Sequence, residues 1–145
     1  MCLALYIAAK GEPPLVSWDE GNPGFNVVDP EEHERVVAMH FSMPNLRYLG
    51  AHTGCSCGFK YGGPPATTPD EEEQERMGRA SVAALQSYLR QMVGTAGTVE
   101  LYACWEGDWA KDCESRLEVT PDHFGGETFE VRERELLVVH ATSSP

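Results

Sequence analysis

The stretch Thr68-Pro69-Asp70-Glu71 decides the fold, because it fixes where the longest helix of the chain begins. Threonine is a favoured N-cap residue, proline suits the first helical position, and the glutamate is placed to complete a capping box. Apolar side chains then recur at helical spacing, at Met77, Ala84, Leu85, Tyr88, Leu89 and Met92. The sequence therefore predicts a long helix over residues 69–93, which Gly94 or Gly97 ends.

Strand-like segments flank this helix on both sides. Residues 46–51 before it and residues 98–105 after it carry the apolar patterns typical of β-strands. A strand, a helix and a strand in this order predict one β-helix-β crossover, with parallel neighbouring strands and a right-handed connection. The loops after the two strands then leave the same edge of the sheet, where open α/β sheets usually bind ligands.

The remaining patterns complete an α+β fold. Residues 2–9 alternate with apolar groups on both faces, which is typical of a central strand. A short helix is expected around residues 31–41, after Pro30, and further strand material lies at 25–28, 115–119, 129–131 and 136–140. We predict a mixed sheet of about five strands with one long and one short helix. A single domain over residues 1–140 and a frayed tail over 141–145 are expected.

Composition narrows the classes of partner. The 145 residues include 23 Asp and Glu against 11 Lys and Arg, which gives a net charge of −12. Such a surface repels phosphate backbones and anionic lipid headgroups, so we expect neither a nucleic-acid partner nor a membrane partner. The apolar residues 2–9 lack a preceding cationic region and are too short to cross a bilayer. We therefore expect a cytoplasmic protein.

Cysteine usage points to reduced thiols. The chain has five cysteines, an odd number without an export signal, and this favours free thiols over a disulfide framework. Two of them lie in the most distinctive segment of the sequence, His52-Thr53-Gly54-Cys55-Ser56-Cys57-Gly58-Phe59. This segment opens a long irregular stretch, residues 53–67, that is rich in glycine and proline. Long loops inside compact domains are usually functional or disordered, and we expect a functional one here.

The paired cysteines suggest a metal site. Cys55 and Cys57, flanked by glycines, can direct two sulfurs at one acceptor. Zinc takes four ligands in structural sites and three in catalytic ones, whereas soft Cu(I) accepts two thiolates. Candidate further ligands are Cys2, His52, Cys104 and His40, although the helical position of His40 favours packing. The sequence thus predicts a zinc or Cu(I) site led by Cys55 and Cys57.

Three other interpretations remain open. The same loop suits a thiol-dependent redox enzyme or transferase, with His52 as a base, although only Lys60 and Arg47 supply positive charge nearby in sequence. An acidic protein-interaction module without a catalytic role is a second possibility, with contacts through the tryptophan-rich turn at residues 105–109. In the third, the cysteines are small apolar fillers, a role that suits Cys104 and Cys113.

Three segments of the chain resemble a group of small bacterial proteins. They are Met1-Cys2-Leu3-Ala4-Leu5-Tyr6, Gly54-Cys55-Ser56-Cys57-Gly58-Phe59 and Val99-Glu100-Leu101-Tyr102-Ala103-Cys104-Trp105. The resemblance spans most of the chain, and its best-marked segments hold Cys2, Cys55, Cys57 and Cys104. It implies a bacterial cytoplasmic protein and carries over no activity.

Overall fold

Eight strands and one long helix carry the fold in the computed structural model, which describes residues 2–19 and 24–142. The strands are β1 Leu3–Ala9, β2 Phe25–Val28, β3 Asn45–Ala51, β4 Lys60–Tyr61, β5 Val99–Trp105, β6 Ser115–Val119, β7 Phe129–Glu130 and β8 Glu135–Val139. Six of them form a mixed sheet in the order β2-β3-β1-β5-β8-β6, in which β6 and β8 are parallel. The short strands β4 and β7 pair as a separate two-stranded ribbon.

The long helix, α1 Pro69–Ala96, begins where its N-cap residue predicts. The backbone N–H of Glu71 donates to Thr68 Oγ1 at 3.1 Å. The Glu71 carboxylate accepts from the backbone N–H of Thr67 at 2.8 Å. The N-cap prediction is therefore confirmed, while the glutamate bonds one residue further back than in a capping box.

Among the residues that the structure describes, three short helices have 3-10 geometry. They span Glu32–His40, Ser56–Gly58 and Pro121–His123. The first confirms the predicted short helix after Pro30, and its capping box joins Glu31 and Glu34. In the described part of the chain, no helix is both long and apolar enough to span a bilayer.

The two faces of the sheet have separate cores. Leu5, Ile7 and Leu49 face α1, where they pack with Leu85 and Leu89 in the larger cluster. The opposite face buries Ala4, Tyr6, Ala8, Leu46, Tyr102 and Cys104, together with Val37 of the 3-10 helix. This division follows from β1, whose successive side chains point to opposite faces and are apolar on both.

The crossover β3-α1-β5 is present, but its strands are not neighbours. Both β3 and β5 pair antiparallel with β1, so they run in the same direction with β1 between them. The expectation of neighbouring strands is wrong. Because β1 is apolar on both faces, it takes a central position and pairs with β3 on one side and with β5 on the other. As a result, the amino end of β1 lies beside the carboxyl ends of β3 and β5.

The α+β fold class is confirmed, with a mixed sheet, a long helix and a short helix. The number of strands was underestimated, since the sheet has six and the ribbon adds two. Within the predicted tail 141–145, residues 143–145 lie outside the described residues.

Candidate metal centre

Three cysteines meet at the edge of the sheet where β1 begins and β3 ends. The Sγ atoms of Cys2, Cys55 and Cys57, here called the thiol triad, all lie within 4.8 Å of one another. With Zn–S bonds of about 2.3 Å, two sulfurs of a tetrahedral zinc site lie about 3.8 Å apart. Small side-chain movements therefore bring the triad to metal-binding spacing, and the three sulfurs can bind a metal ion.

The segment from His52 to Phe59, here called the cysteine loop, follows β3. A tight turn at its start brings it back toward β1. Gly54 donates its N–H to the carbonyl of Ala51 at 2.9 Å, and the N–H of Ala51 donates to the Cys55 carbonyl at 3.0 Å. Gly54 has a φ of 85°, a left-handed conformation that glycine adopts without steric cost. The turn thus places Cys55 beside the start of β1, where Cys2 lies.

Ser56 fixes this loop to two strands at once. Its side chain is buried, accepts from the backbone N–H of Leu5 at 2.8 Å and donates to the Leu49 carbonyl at 2.6 Å. A third bond joins the backbone N–H of Leu3 to Cys57 Sγ at 3.1 Å. Sequence reasoning missed Ser56, and its position between the two cysteines was the only available signal.

The thiols of the triad influence each other's protonation. Burial acts to raise the pKa of Cys55, but hydrogen bonds from the Thr53 hydroxyl, the Cys57 backbone N–H and the thiols of Cys57 and Cys2 lower it overall. The pKa of Cys2 is raised, first by its hydrogen bond to Cys55 and then by the charges of Cys55 and Cys57. Of these two thiols, Cys55 therefore loses its proton more readily than Cys2, and a bound cation stabilises the thiolate form.

His52 lies apart from the triad, beneath α1. Its ring Nδ1 is 3.0 Å from Ser81 Oγ, and its Nε2 is 3.2 Å from Gln74 Oε1. The ring also packs closely on Gly58, where an added Cβ would lie 2.8 Å from the His52 Cε1. Both ring nitrogens are thus engaged, and the group of metal-binding atoms within 4.8 Å does not include this histidine.

The other candidate ligands also lie elsewhere. Cys104 is buried on the face opposite α1, where burial and then the charge of Asp108 raise its pKa to about 12. His40 stacks on Tyr102 with ring centroids 4.4 Å apart, as its helical position predicted. Cys113, expected with Cys104 to be a small apolar filler, is instead exposed and donates to the Ser115 carbonyl at 2.9 Å, so that expectation is wrong for Cys113. The structure therefore brings together Cys2, Cys55 and Cys57 and leaves Cys104 and His52 outside.

A cleft of about 930 Å³ beside α1 and the ribbon reaches Cys57 of the triad. Its walls include Cys57, Thr53 and His52 of the cysteine loop, together with Tyr61 and Phe129. The three cysteines of the triad are themselves partly exposed. An ion or a small reagent can therefore reach the sulfur atoms without unfolding of the core.

The tryptophan-rich turn at residues 105–109 packs against the face of the sheet opposite α1. Trp109 donates its indole N–H to Tyr6 Oη at 2.8 Å, and that hydroxyl donates to Glu34 Oε1 at 2.8 Å. Trp109 is partly buried and anchors its loop to β1 through this bond.

Comparison of the chain with protein-family models, with curated proteins and with solved structures finds no match. The evidence on function is therefore the arrangement of the residues themselves. Its strongest part is the convergence of three thiols from two separate segments of the chain.

Proposed function

We propose that the protein binds a metal ion, zinc or Cu(I), with Cys55 and Cys57 as primary ligands and Cys2 as the third. The observation that supports this most directly is the 4.8 Å limit on the distances among their sulfur atoms. Cysteines that only fill space are usually buried among apolar side chains, as Cys104 is. The three of the triad are instead partly exposed and contact one another.

Charge also favours a metal. Within residues 2–19 and 24–142, no lysine or arginine is among the main influences on the pKa of Cys2 or Cys55. Arg47, a nearby cation in sequence, pairs with Asp29 at 2.9 Å instead. A metal ion supplies the positive charge that thiolates need and deprotonates its thiol ligands.

Elemental analysis tests this proposal. Protein purified under reducing conditions, without a metal-affinity column, is expected to carry one zinc or copper per chain. The double variant Cys55→Ser/Cys57→Ser is expected to lose it, whereas Cys113→Ser, which changes an exposed cysteine outside the triad, retains it. Metal-free wild type after supply of both ions, or a double variant that keeps its metal, would refute the proposal.

A second candidate is a thiol oxidoreductase, and the lowered pKa of Cys55 favours it. The Cys55 thiolate would attack a disulfide substrate, forming a mixed disulfide and releasing one thiolate. Cys2 or Cys57 would then attack Cys55 Sγ, forming an intrachain disulfide and releasing the second thiolate. Two electrons pass in this way from the protein dithiol to the substrate.

Thiol alkylation of metal-free protein tests this second candidate. At pH 7, Cys55 is expected to react with iodoacetamide faster than the exposed Cys113, because its pKa is lowered. Peptide mass spectrometry over a time course gives both rates. A Cys55 rate at or below that of Cys113 rejects the oxidoreductase.

A further inference from the structure

We infer that the triad is a three-coordinate site for Cu(I) rather than for zinc. This inference rests on the proposed function, since it concerns which ion the same three sulfurs hold. Three features of the site support it, namely the number of ligands, the engagement of nearby groups that could add a fourth, and the N–H groups around the sulfurs.

The number and type of ligands match Cu(I) and fall one short of a structural zinc site. Structural zinc is almost always held by four ligands, and catalytic zinc by three with a water in the fourth position. Among the His, Cys, Asp and Glu side chains of the described residues, the ligand atoms gathered within 4.8 Å of one another are three sulfurs, without an imidazole nitrogen or a carboxylate oxygen. Soft thiolates favour Cu(I), and three of them complete a trigonal shell around this ion.

The nearby groups that could add a fourth ligand do not lie in the ligand group of the triad. Both ring nitrogens of His52 have partners on α1, so turning the ring toward the triad would break both of these hydrogen bonds. The Thr53 hydroxyl lies 3.5 Å from Cys55 Sγ and 2.9 Å from the Cys55 carbonyl, but a neutral threonine hydroxyl is not among the usual protein ligands of zinc. Glu106 lies near enough for its charge to raise the pKa of Cys2, but its carboxylate is outside the ligand group.

Backbone donors suit a site that keeps excess negative charge. Three thiolates around a monovalent ion carry one more negative charge than the same thiolates around Zn²⁺. The N–H of Leu3 donates to Cys57 Sγ at 3.1 Å, and the N–H of Cys57 hydrogen-bonds Cys55 Sγ. Such N–H donors stabilise anionic sulfur and orient it toward the ion.

The test offers both ions to the whole chain at once. Anaerobic metal-free protein is mixed with one equivalent each of Zn²⁺ and Cu(I), the latter supplied as its glutathione complex. Metal content after desalting and X-ray absorption at both metal edges are then measured. We expect one copper per chain, three sulfur neighbours, no nitrogen or oxygen neighbour, and zinc left in solution.

Variants separate the triad from adventitious binding. Cys2→Ser and Cys2→Ala are each expected to lower the sulfur neighbours of copper to two. They should also weaken copper retention against the chelator bicinchoninate by about tenfold or more. Cys113→Ser is the matched control and should behave as wild type, since Cys113 is exposed and outside the triad. Circular dichroism checks that the variants keep the fold.

The outcomes distinguish this inference from the function on which it rests. Zinc at the triad with a nitrogen or oxygen in the fourth position, not displaced by Cu(I), overturns the inference and leaves the metal-binding function intact. Copper with only two sulfur neighbours, unchanged in the Cys2 variants, also overturns it. Binding of neither ion overturns both.

Discussion

An added methyl group at Gly50 would disturb the turn that carries Cys55. Gly50 faces Asn26 across the β2–β3 pair, and a Cβ atom there would overlap Asn26 Oδ1 and lie 2.8 Å from the Gly54 carbonyl. Both neighbours would have to move, and Gly54 closes the turn that positions Cys55. We expect Gly50→Ala to weaken metal binding and to lower the free energy of unfolding by about 1–3 kcal/mol.

Metal titration and urea denaturation measure the two effects. Gly94→Ala is the matched control, because a Cβ at Gly94 in α1 meets no atom within 4 Å. This control should keep wild-type affinity. Wild-type affinity in Gly50→Ala would contradict the close packing described for the loop.

Cys104 and Cys113 should differ sharply in reactivity. Burial raises the pKa of Cys104 to about 12, whereas Cys113 is exposed. At pH 8 native Cys104 therefore stays a protonated, shielded thiol, and we expect iodoacetamide to modify Cys113 long before Cys104. Peptide mass spectrometry gives the rates, and urea-unfolded protein provides the reference in which the difference disappears. Equal rates in the native protein would place Cys104 outside the core.

The identity and spacing of the residues predicted only part of the site. Cys55 and Cys57 were predicted as ligands because glycines flank two closely spaced thiols, and Cys2 was a candidate only by residue type. What brings Cys2 to them is the strand order, which no local pattern encodes. His52 was a candidate by its nearness in sequence, but the loop turns its ring under α1 toward Ser81.

At the scale of elements, Ser56 connects the cysteine loop to the sheet. Its hydroxyl bonds to β1 and to β3, at the Leu5 N–H and the Leu49 carbonyl. Ser56→Ala leaves both buried groups without this partner, which costs about 1–3 kcal/mol. We expect lower stability in urea together with weaker metal binding, because the loop loses its attachment.

Ser115→Ala serves as the control, since Ser115 is an exposed strand residue on β6. It should leave both quantities within error of wild type. A Ser56→Ala variant that is destabilised but binds metal as tightly as wild type would show that the loop is held by other contacts.

The N-cap of α1 should matter for stability and not for the site. Thr68→Ala removes the acceptor of the Glu71 N–H, and the expected loss is about 1 kcal/mol of unfolding free energy. Thr68→Ser keeps a hydroxyl acceptor and should recover most of this loss. Urea denaturation measures both, and metal affinity should be unchanged because Thr68 lies outside the triad. A neutral Thr68→Ala would mean that the cap contributes little.

Element prediction succeeded where the sequence pattern was long. The start of α1 followed from Thr68 and Pro69, and β1 followed from its two-faced alternation. The ribbon strand Lys60–Tyr61 is too short to show any periodicity, and it lies in a stretch that glycine and proline mark as loop. Its pairing with Phe129–Glu130 depends on contacts distant in sequence.

For the molecule as a whole, buried acidic groups predict loss of stability at high pH. Burial raises the pKa of Tyr48, Tyr88 and Tyr102 from 10.0 to about 12, and that of Cys104 from 9.0 to about 12. In the unfolded chain these groups lose their protons at lower pH than in the folded protein. Their contribution is therefore complete below about pH 9 and is lost as the pH rises toward 12.

Urea denaturation between pH 7 and pH 11 should show this fall, about in the range where unfolded thiols and phenols ionise. Tyrosinate absorbance of the native protein gives an independent reading. The absorbance of the native protein should rise at higher pH than that of the unfolded chain. Stability that stays constant across this range would contradict the burial of these side chains.

The strand order of the whole sheet explains why the triad forms. β1 runs antiparallel between β3 and β5, so its amino end meets the carboxyl end of β3. The sequence indicated the crossover but not the strand inserted within it, because strand order depends on pairing between distant segments. Because β1 lies between β3 and β5, Cys2 at its start comes close to Cys55 and Cys57 after β3.

The most direct test of the account is the position of a bound metal ion. Crystals of protein loaded with copper or zinc are measured at the absorption edge of that metal, and an anomalous difference map is calculated. We predict a single peak within about 2.3 Å of the sulfur atoms of Cys2, Cys55 and Cys57. A peak bound to other residues, or no peak in fully loaded crystals, would contradict the metal centre.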